Sequence, residues 1–321
     1  MSLDADALVE RRRLRRKVSF WRASAVLLVA ATVAVAALAS TGRLTPGGTE
    51  HVARVTVSGF IGGQNATARM LKQIGESRAR AVIVRVNSPG GGMAASEAIY
   101  DALRDLNAKK PVVAVFDSLA ASGGYMVGIG AERIFAGRTT ITGSIGVLVQ
   151  YPNFSGLLET VGVEVEAVRS SPIKAQPDGL GPTPPEARAV LETLVADSHR
   201  IFRNTVGERR NLSGAALDAV TDGRVMIGER ALAMGLVDEL GGEDEARAWL
   251  AREKNVPAEL PIREWRPARS SWARLGVASS LFARAADALG WRGLAADIRS
   301  GAADGGVLDG LLAVWHPAVE K

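Results

Sequence analysis

The chain has 321 residues, no cysteine and only three histidines, and its net charge of +5 gathers towards its ends. The lack of cysteine excludes disulfides, thiolate metal sites and a Cys nucleophile, and His51, His199 and His316 are too widely spaced to read as a metal site. Residues 1–22 hold seven Lys or Arg against three acids while the middle of the chain is near neutral, which speaks for membrane orientation and against nucleic-acid binding.

The basic leader of residues 1–22 precedes an uncharged run of Ala, Val and Leu at 23–39. Seventeen helical residues span about 25 Å, the short end of what crosses a bilayer. Basic residues on its N-terminal side keep that end in the cytoplasm and send the body across. Ala37-Leu38-Ala39 also resembles a signal-peptidase site, so a cleaved signal peptide competes with a retained anchor, and the long basic leader favours the anchor. Residues 40–50, with Gly42, Pro46, Gly47 and Gly48, form a linker.

The body begins with a strand pattern at 51–61, a helix at 66–77 and a buried-type strand at 81–86, followed by Asn87-Ser88-Pro89-Gly90-Gly91-Gly92. An amphipathic helix at 93–107 leads to a second buried-type strand at 111–116. This β-α-β-α-β alternation predicts an α/β fold with parallel strands and right-handed crossovers. Strands are then predicted at 133–136, 145–151 and 163–169, with a short helix at 154–161 between the last two. A Pro- and Gly-rich loop at 170–185 carries Lys174. Pro184 and Pro185 open a long helix at 186–206, and helical pieces follow at 213–220, 228–234 and 243–253. From residue 256 to 321 the chain reads as a helical tail holding four of the six tryptophans, and Leu275, Phe282 and Leu289 recur every seven residues. That apolar stripe suits packing on the body, a subunit contact, a membrane surface or a self-processing segment.

Chemistry concentrates at Asp117-Ser118-Leu119-Ala120-Ala121-Ser122-Gly123-Gly124-Tyr125-Met126, where an apolar strand meets a helix. A Ser on such a turn is presented for attack, and the glycine after it lets a carbonyl approach the backbone N–H. Ser122 is therefore the candidate nucleophile. Gly91 and Gly123 are candidates for an oxyanion hole, with an anion-cradling loop as the rival reading. For the base, no histidine has a diagnostic neighbour and His199 falls mid-helix. Among the few lysines of the body, Lys72 falls on a helix and Lys109 and Lys110 in a turn. Lys174 alone lies in an irregular loop beyond Ser122, flanked by Pro172, Ile173 and Ala175.

Five motifs then occur in order: Arg85-Val86-Asn87-Ser88-Pro89-Gly90-Gly91-Gly92, Ala121-Ser122-Gly123-Gly124-Tyr125, Thr142-Gly143-Ser144-Ile145-Gly146-Val147 with Lys174 beyond, Asp222-Gly223-Arg224-Val225, and Gly235-Leu236-Val237-Asp238-Glu239-Leu240-Gly241. Over about residues 50–250 they resemble the signal peptide peptidase (SppA) family of bacterial serine proteases. The resemblance implies a Clp/crotonase-like α/β fold of repeated β-β-α and β-α-β layers behind one N-terminal transmembrane helix, with a Ser-Lys peptidase domain at 51–255. It implies Ser122 as nucleophile, Lys174 as general base, Gly91 and Gly123 as the oxyanion hole and Ser144 as the residue orienting Lys174. No cofactor or metal is called for. A homo-oligomeric ring is implied too, its dyad built across neighbouring subunits. The expected function is a membrane-anchored serine endopeptidase of the bacterial inner membrane, its catalytic domain on the periplasmic side, degrading cleaved signal peptides and other extended apolar peptides. A noncatalytic scaffold of the same fold in membrane quality control is the alternative. A crotonase-type acyl-CoA enzyme is disfavoured by export and by the lack of a Glu pair near the glycine loops. A Ser-His-Asp protease is disfavoured by the placement of the histidines.

Overall fold

The computed structural model describes Lys17, Phe20, Trp21 and residues 49–63, 65–267 and 312–314. The predicted anchor at 23–39 and the stripe at 275–289 lie outside them. No helix among the described residues is long and apolar enough to cross a membrane.

The elements in chain order are β1 (His51–Ile61), α1 (Asn65–Gly75), β2 (Ala79–Gly92), α2 (Met93–Asn107), β3 (Val112–Ala121), α3 (Gly123–Gly128), β4 (Arg133–Ala136), β5 (Ile141–Gly143), α4 (Ser155–Thr160), α5 (Pro185–Arg210), α6 (Gly214–Asp218), β6 (Val225–Ile227), α7 (Gly228–Ala233), β7 (Glu239–Leu240), α8 (Glu243–Lys254), β8 (Ile262–Trp265) and β9 (Leu312–Val314). The strands form one sheet in the order β6-β5-β3-β2-β1-β8, with β4 bridging β3 and β7 and with β9 on β2. Pairings are parallel except β5 with β6 and β2 with β9.

Period-two alternation divides the strand side chains between two layers. Val82, Val84, Val86, Val112, Ala114 and Phe116 enter a core with Leu71 and Ile74 of α1, Ile99, Leu103 and Leu106 of α2, and Phe202 and Val206 of α5. Ala81, Ile83, Val113 and Val115 face the other way, onto Ala246, Trp249 and Leu250 of α8. Burying such aliphatic side chains contributes roughly 1.5–3 kcal/mol each, so strands covered on both faces make the rigid centre of the domain.

One feature of the sheet places the site. The first half of β3 pairs with β4 (Val113–Phe116 opposite Arg133–Ala136) and its second half with β5 (Leu119, Ala120 and Ala121 opposite Ile141, Thr142 and Gly143). The sheet forks along β3, and Thr140 Oγ1 closes the crotch by donating to the Asp117 carbonyl at 2.5 Å.

Several predicted elements differ from the structure. The strand predicted at 145–151 lies earlier, at Ile141–Gly143, because positive φ at Gly143 and Ser144 ends the ladder there. The alternating stretch at 163–169 forms no strand, since its backbone finds no ladder partner among the described residues. β8 falls within the stretch read as the tail and pairs with β1. Trp265 donates from Nε1 to His51 Nε2 at 3.2 Å and stacks on that ring, while Arg54 bridges Glu243 and Glu264.

Candidate active site

Ser122 occupies the junction of β3 and α3 with φ 54° and ψ −118°, a conformation that costs a non-glycine residue of order 1–3 kcal/mol. The strain is held from both sides. Its N–H donates to the Gly143 carbonyl at 2.8 Å, and its carbonyl accepts the Met126 N–H at 2.9 Å, so strand becomes helix within one residue. Gly123 is the first residue of α3, where N–H groups have no acceptor within the helix. Behind it, a Cβ on Gly124 would stand 2.7 Å from the Ser88 carbonyl, so only glycine lets α3 approach β2 this closely. Tyr125 is fully buried, sets its ring edge to Phe116 and donates to the Leu236 carbonyl at 2.9 Å. Burial pushes its phenol pKa upward, which keeps it a donor.

Gly91 lies in the last stretch of β2, which runs on as strand beyond the end predicted at residue 86. Ser88 shapes that stretch. Its buried hydroxyl donates to the Gly59 carbonyl at 2.6 Å and accepts the Gly90 N–H at 3.0 Å. Gly90 has φ 106°, which favours glycine by conformation. Gly91 is required by close approach, since a Cβ there would fall 2.1 Å from the Ile61 carbonyl oxygen.

Ser144 comes next to Ser122 through the fork, because each directly follows a member of the Ala121 and Gly143 pair. Ser144 has φ 52°, is 8% exposed, and donates its N–H to the Arg224 carbonyl at 2.7 Å. A Cβ on Gly143 would meet the same carbonyl at 2.9 Å. Arg224 is folded onto Asp222, whose carboxyl pKa it holds below the ordinary range. The Asp222-Gly223-Arg224 motif is thus the seat of Ser144. The motif at 235–241 is structural: Asp238 pairs with Arg210 through both oxygens and accepts the Ile134 N–H at 2.8 Å.

Ser122, Gly91, Gly123 and Ser144 are therefore assembled at the ends of β2, β3 and β5. Lys174 is not joined to them within one chain. It is exposed, its N–H donates to the Ser171 carbonyl at 3.1 Å, and its side chain makes no hydrogen bond or ion pair among the described residues. Among the described residues the Ser122 hydroxyl reaches only the Gly146 carbonyl, at 3.5 Å, the outer limit for a hydrogen bond. His199 is engaged through Nε2 with the Thr221 carbonyl at 2.8 Å. Gly146 also lines a cleft of about 690 Å³ between Ile145–Val149, the face of α5 bearing Leu191 and Val195, and Thr221–Gly223. Its volume is within the range of ligand clefts.

Ser88, Gly124, Tyr125 and the Arg224 carbonyl were not singled out by sequence reasoning. Their only signal was membership of the five motifs.

The profile of peptidase family S49 matches residues 104–257. A Synechocystis protein bearing the name of a protease is 40% identical over 204 residues, 63% of this chain and 74% of its own length. An Enterococcus faecium protein bearing the name signal peptide peptidase SppA is 36% identical over 188 residues, 58% of this chain and 55% of its own. The chain thus spans about half to three quarters of these two relatives. A mutant ClpP1 from Listeria monocytogenes aligns in structure with a TM-score of 0.41 at 17% identity, covering 59% of this chain and 91% of that one.

Proposed function

The chain belongs to peptidase family S49, a family of serine peptidases, and from that premise we propose that it is a membrane-anchored endopeptidase that degrades cleaved signal peptides and other extended apolar peptides through a Ser122–Lys174 dyad. The observation that carries the reading is the strained, 1% exposed Ser122 at the fork, with the Gly91 strand and the start of α3 on either side. Lys174, as general base, accepts the hydroxyl proton as Ser122 Oγ attacks the peptide carbonyl carbon. The oxyanion rests on the N–H groups of Gly91 and Gly123. The C–N bond breaks as the amine leaves with the proton from Lys174, and water then hydrolyses the ester. Ser144 orients the lysine.

Lys174 comes from a neighbouring subunit of a homo-oligomeric ring. Two features support this: Lys174 is exposed while Ser122 is buried, and the chain leading up to Lys174 carries Leu157, Val161, Val163, Val165, Val168 and Ile173, all exposed. So many exposed apolar side chains in one stretch of chain speak for an interface. We read the forked parallel sheet as the Clp/crotonase type. Residues 1–22 form a cytoplasmic leader, 23–39 the anchor and 40–50 the linker, which puts the domain on the periplasmic side of the bacterial inner membrane. The basic leader beside an uncharged run supports this.

The test is cleavage of a fluorogenic signal-peptide sequence by the full chain in detergent. Ser122→Ala and Lys174→Ala should each lower turnover by about a thousandfold or more. Undiminished turnover in either variant would remove that residue from the mechanism.

A further inference from the structure

His199 stands on α5 one turn beyond Val195, and with Leu191, Val195 and Ala196 it lines the cleft that Gly146 borders. Its ring meets the turn that follows α6, where Nε2 lies 2.8 Å from the Thr221 carbonyl oxygen. A carbonyl only accepts, so Nε2 is the donor. Thr221 is 3% exposed and is fixed from behind as well, its hydroxyl donating to the Leu217 carbonyl at 2.8 Å. Three residues on, the Arg224 carbonyl accepts the Ser144 N–H at 2.7 Å. Between the two, Asp222 accepts the Arg224 N–H at 3.1 Å and Gly223 takes φ 87°. One short turn thus has His199 on its first carbonyl and Ser144 on its last. Gly143, directly before Ser144, accepts the Ser122 N–H through its own carbonyl at 2.8 Å.

We propose that His199 is a positioning residue for the reaction, one that holds the seat of Ser144 through the Thr221 carbonyl and ties that seat to the wall of the cleft. The inference rests on the reading of Ser122 as nucleophile and of Ser144 as the residue orienting Lys174. The carbonyl of a buried residue needs a donor, so losing the imidazole N–H releases the start of the turn, and with it the acceptor that pins Ser144. Ser144 has φ 52°, a conformation that persists only while its surroundings over-determine it. It is therefore the group that moves when the turn loosens. Because the same ring lines the cleft, a peptide seated there packs on His199 and steadies the turn from the other side. Filling the cleft and aligning Ser144 then become one event.

Two variants separate the N–H from the ring. His199→Phe keeps an aromatic ring in the cleft wall without a donor, and His199→Gln places an amide N–H near the position of Nε2. In cleavage of the fluorogenic signal-peptide sequence by the full chains in detergent, His199→Phe should lower kcat by about tenfold or more with KM within about twofold of wild type, and His199→Gln should restore most of it. Hydrogen–deuterium exchange followed by mass spectrometry reads the seat without any turnover. The fragment carrying the Ser144 amide should lose protection in His199→Phe and regain it in His199→Gln, while the fragment carrying Val82 to Val86 stays unchanged in both. His199→Met, which also lacks a donor, takes the place of the phenylalanine chain if that one exchanges faster throughout. Wild-type kcat with wild-type protection of Ser144 in the donorless chain would overturn the inference. So would a raised KM at unchanged kcat, which makes His199 a part of the cleft wall alone. Full turnover by Ser122→Ala, with Ser144 still deprotected in His199→Phe, would fell the nucleophile reading and leave the hold of His199 on the Ser144 turn standing.

Discussion

Ser88 joins β1 to the end of β2 through one hydroxyl, and it touches no reacting atom. Ser88→Ala would leave the buried Gly90 N–H without its acceptor and the Gly59 carbonyl without its donor. An unsatisfied buried group costs about 1–3 kcal/mol, so a lower urea midpoint is expected. The same change frees Gly91 to drift, so kcat should fall more than KM rises, as for a residue that positions the oxyanion donors. A drop in stability with kcat intact would assign Ser88 to folding alone. The sequence made Ser122, Gly91 and Gly123 legible because an apolar run, a Ser and a Gly in succession is a local pattern. It could not disclose Ser88 in this role, because the Gly59 carbonyl lies 29 residues away on another strand. Nor could it separate the reasons for two adjacent glycines, one set by φ and the other by the distance to Ile61.

At the level of elements, local periodicity located β1, α2 and β4 at their observed limits, whereas the ends that depend on partners were missed. β2 and β3 run on to Gly92 and Ala121 because neighbouring strands extend the ladder, and the 163–169 pattern stays unpaired for want of a neighbour. The loop carrying Lys174 has its own fastening. Asp178 accepts the Leu180 N–H at 3.0 Å and pairs with Arg169, bracketing Lys174. Those contacts, the Leu180 N–H foremost, hold its carboxyl pKa below the ordinary carboxylate range. The fastening is thus fully present above the carboxyl's unfolded value, about 4, and is lost as pH falls through the depressed folded value. Leu180 amide shifts followed by NMR should move only below about pH 4, and Asp178→Asn should abolish that transition.

For the molecule as a whole, the lack of a hydrogen bond between Ser122 and Lys174 among the described residues makes the assembly part of the proposed chemistry. If each site takes Ser122 from one subunit and Lys174 from the next, mixing the two inactive variants rebuilds some sites. Co-assembled Ser122→Ala and Lys174→Ala chains should regain about a quarter of wild-type turnover; no recovery would place both groups in one subunit. Val168→Glu, on the exposed apolar stretch, should shift sedimentation towards smaller species and lower that recovery in step.

The fork along β3 also carries a dynamic consequence. The β1–β4 half is covered on both faces by helices, while β5 and β6 are three residues each and hold the turn through Gly143 and Arg224. The two branches are unequal in buried contacts, so they should open as separate cooperative units. In native-state hydrogen exchange, the amides of Ser122 and Ser144, bonded to those two carbonyls, should exchange through a smaller opening than the amides of Val82 to Val86. Ser122 would then be able to relax its strained backbone while the centre of the domain stays folded.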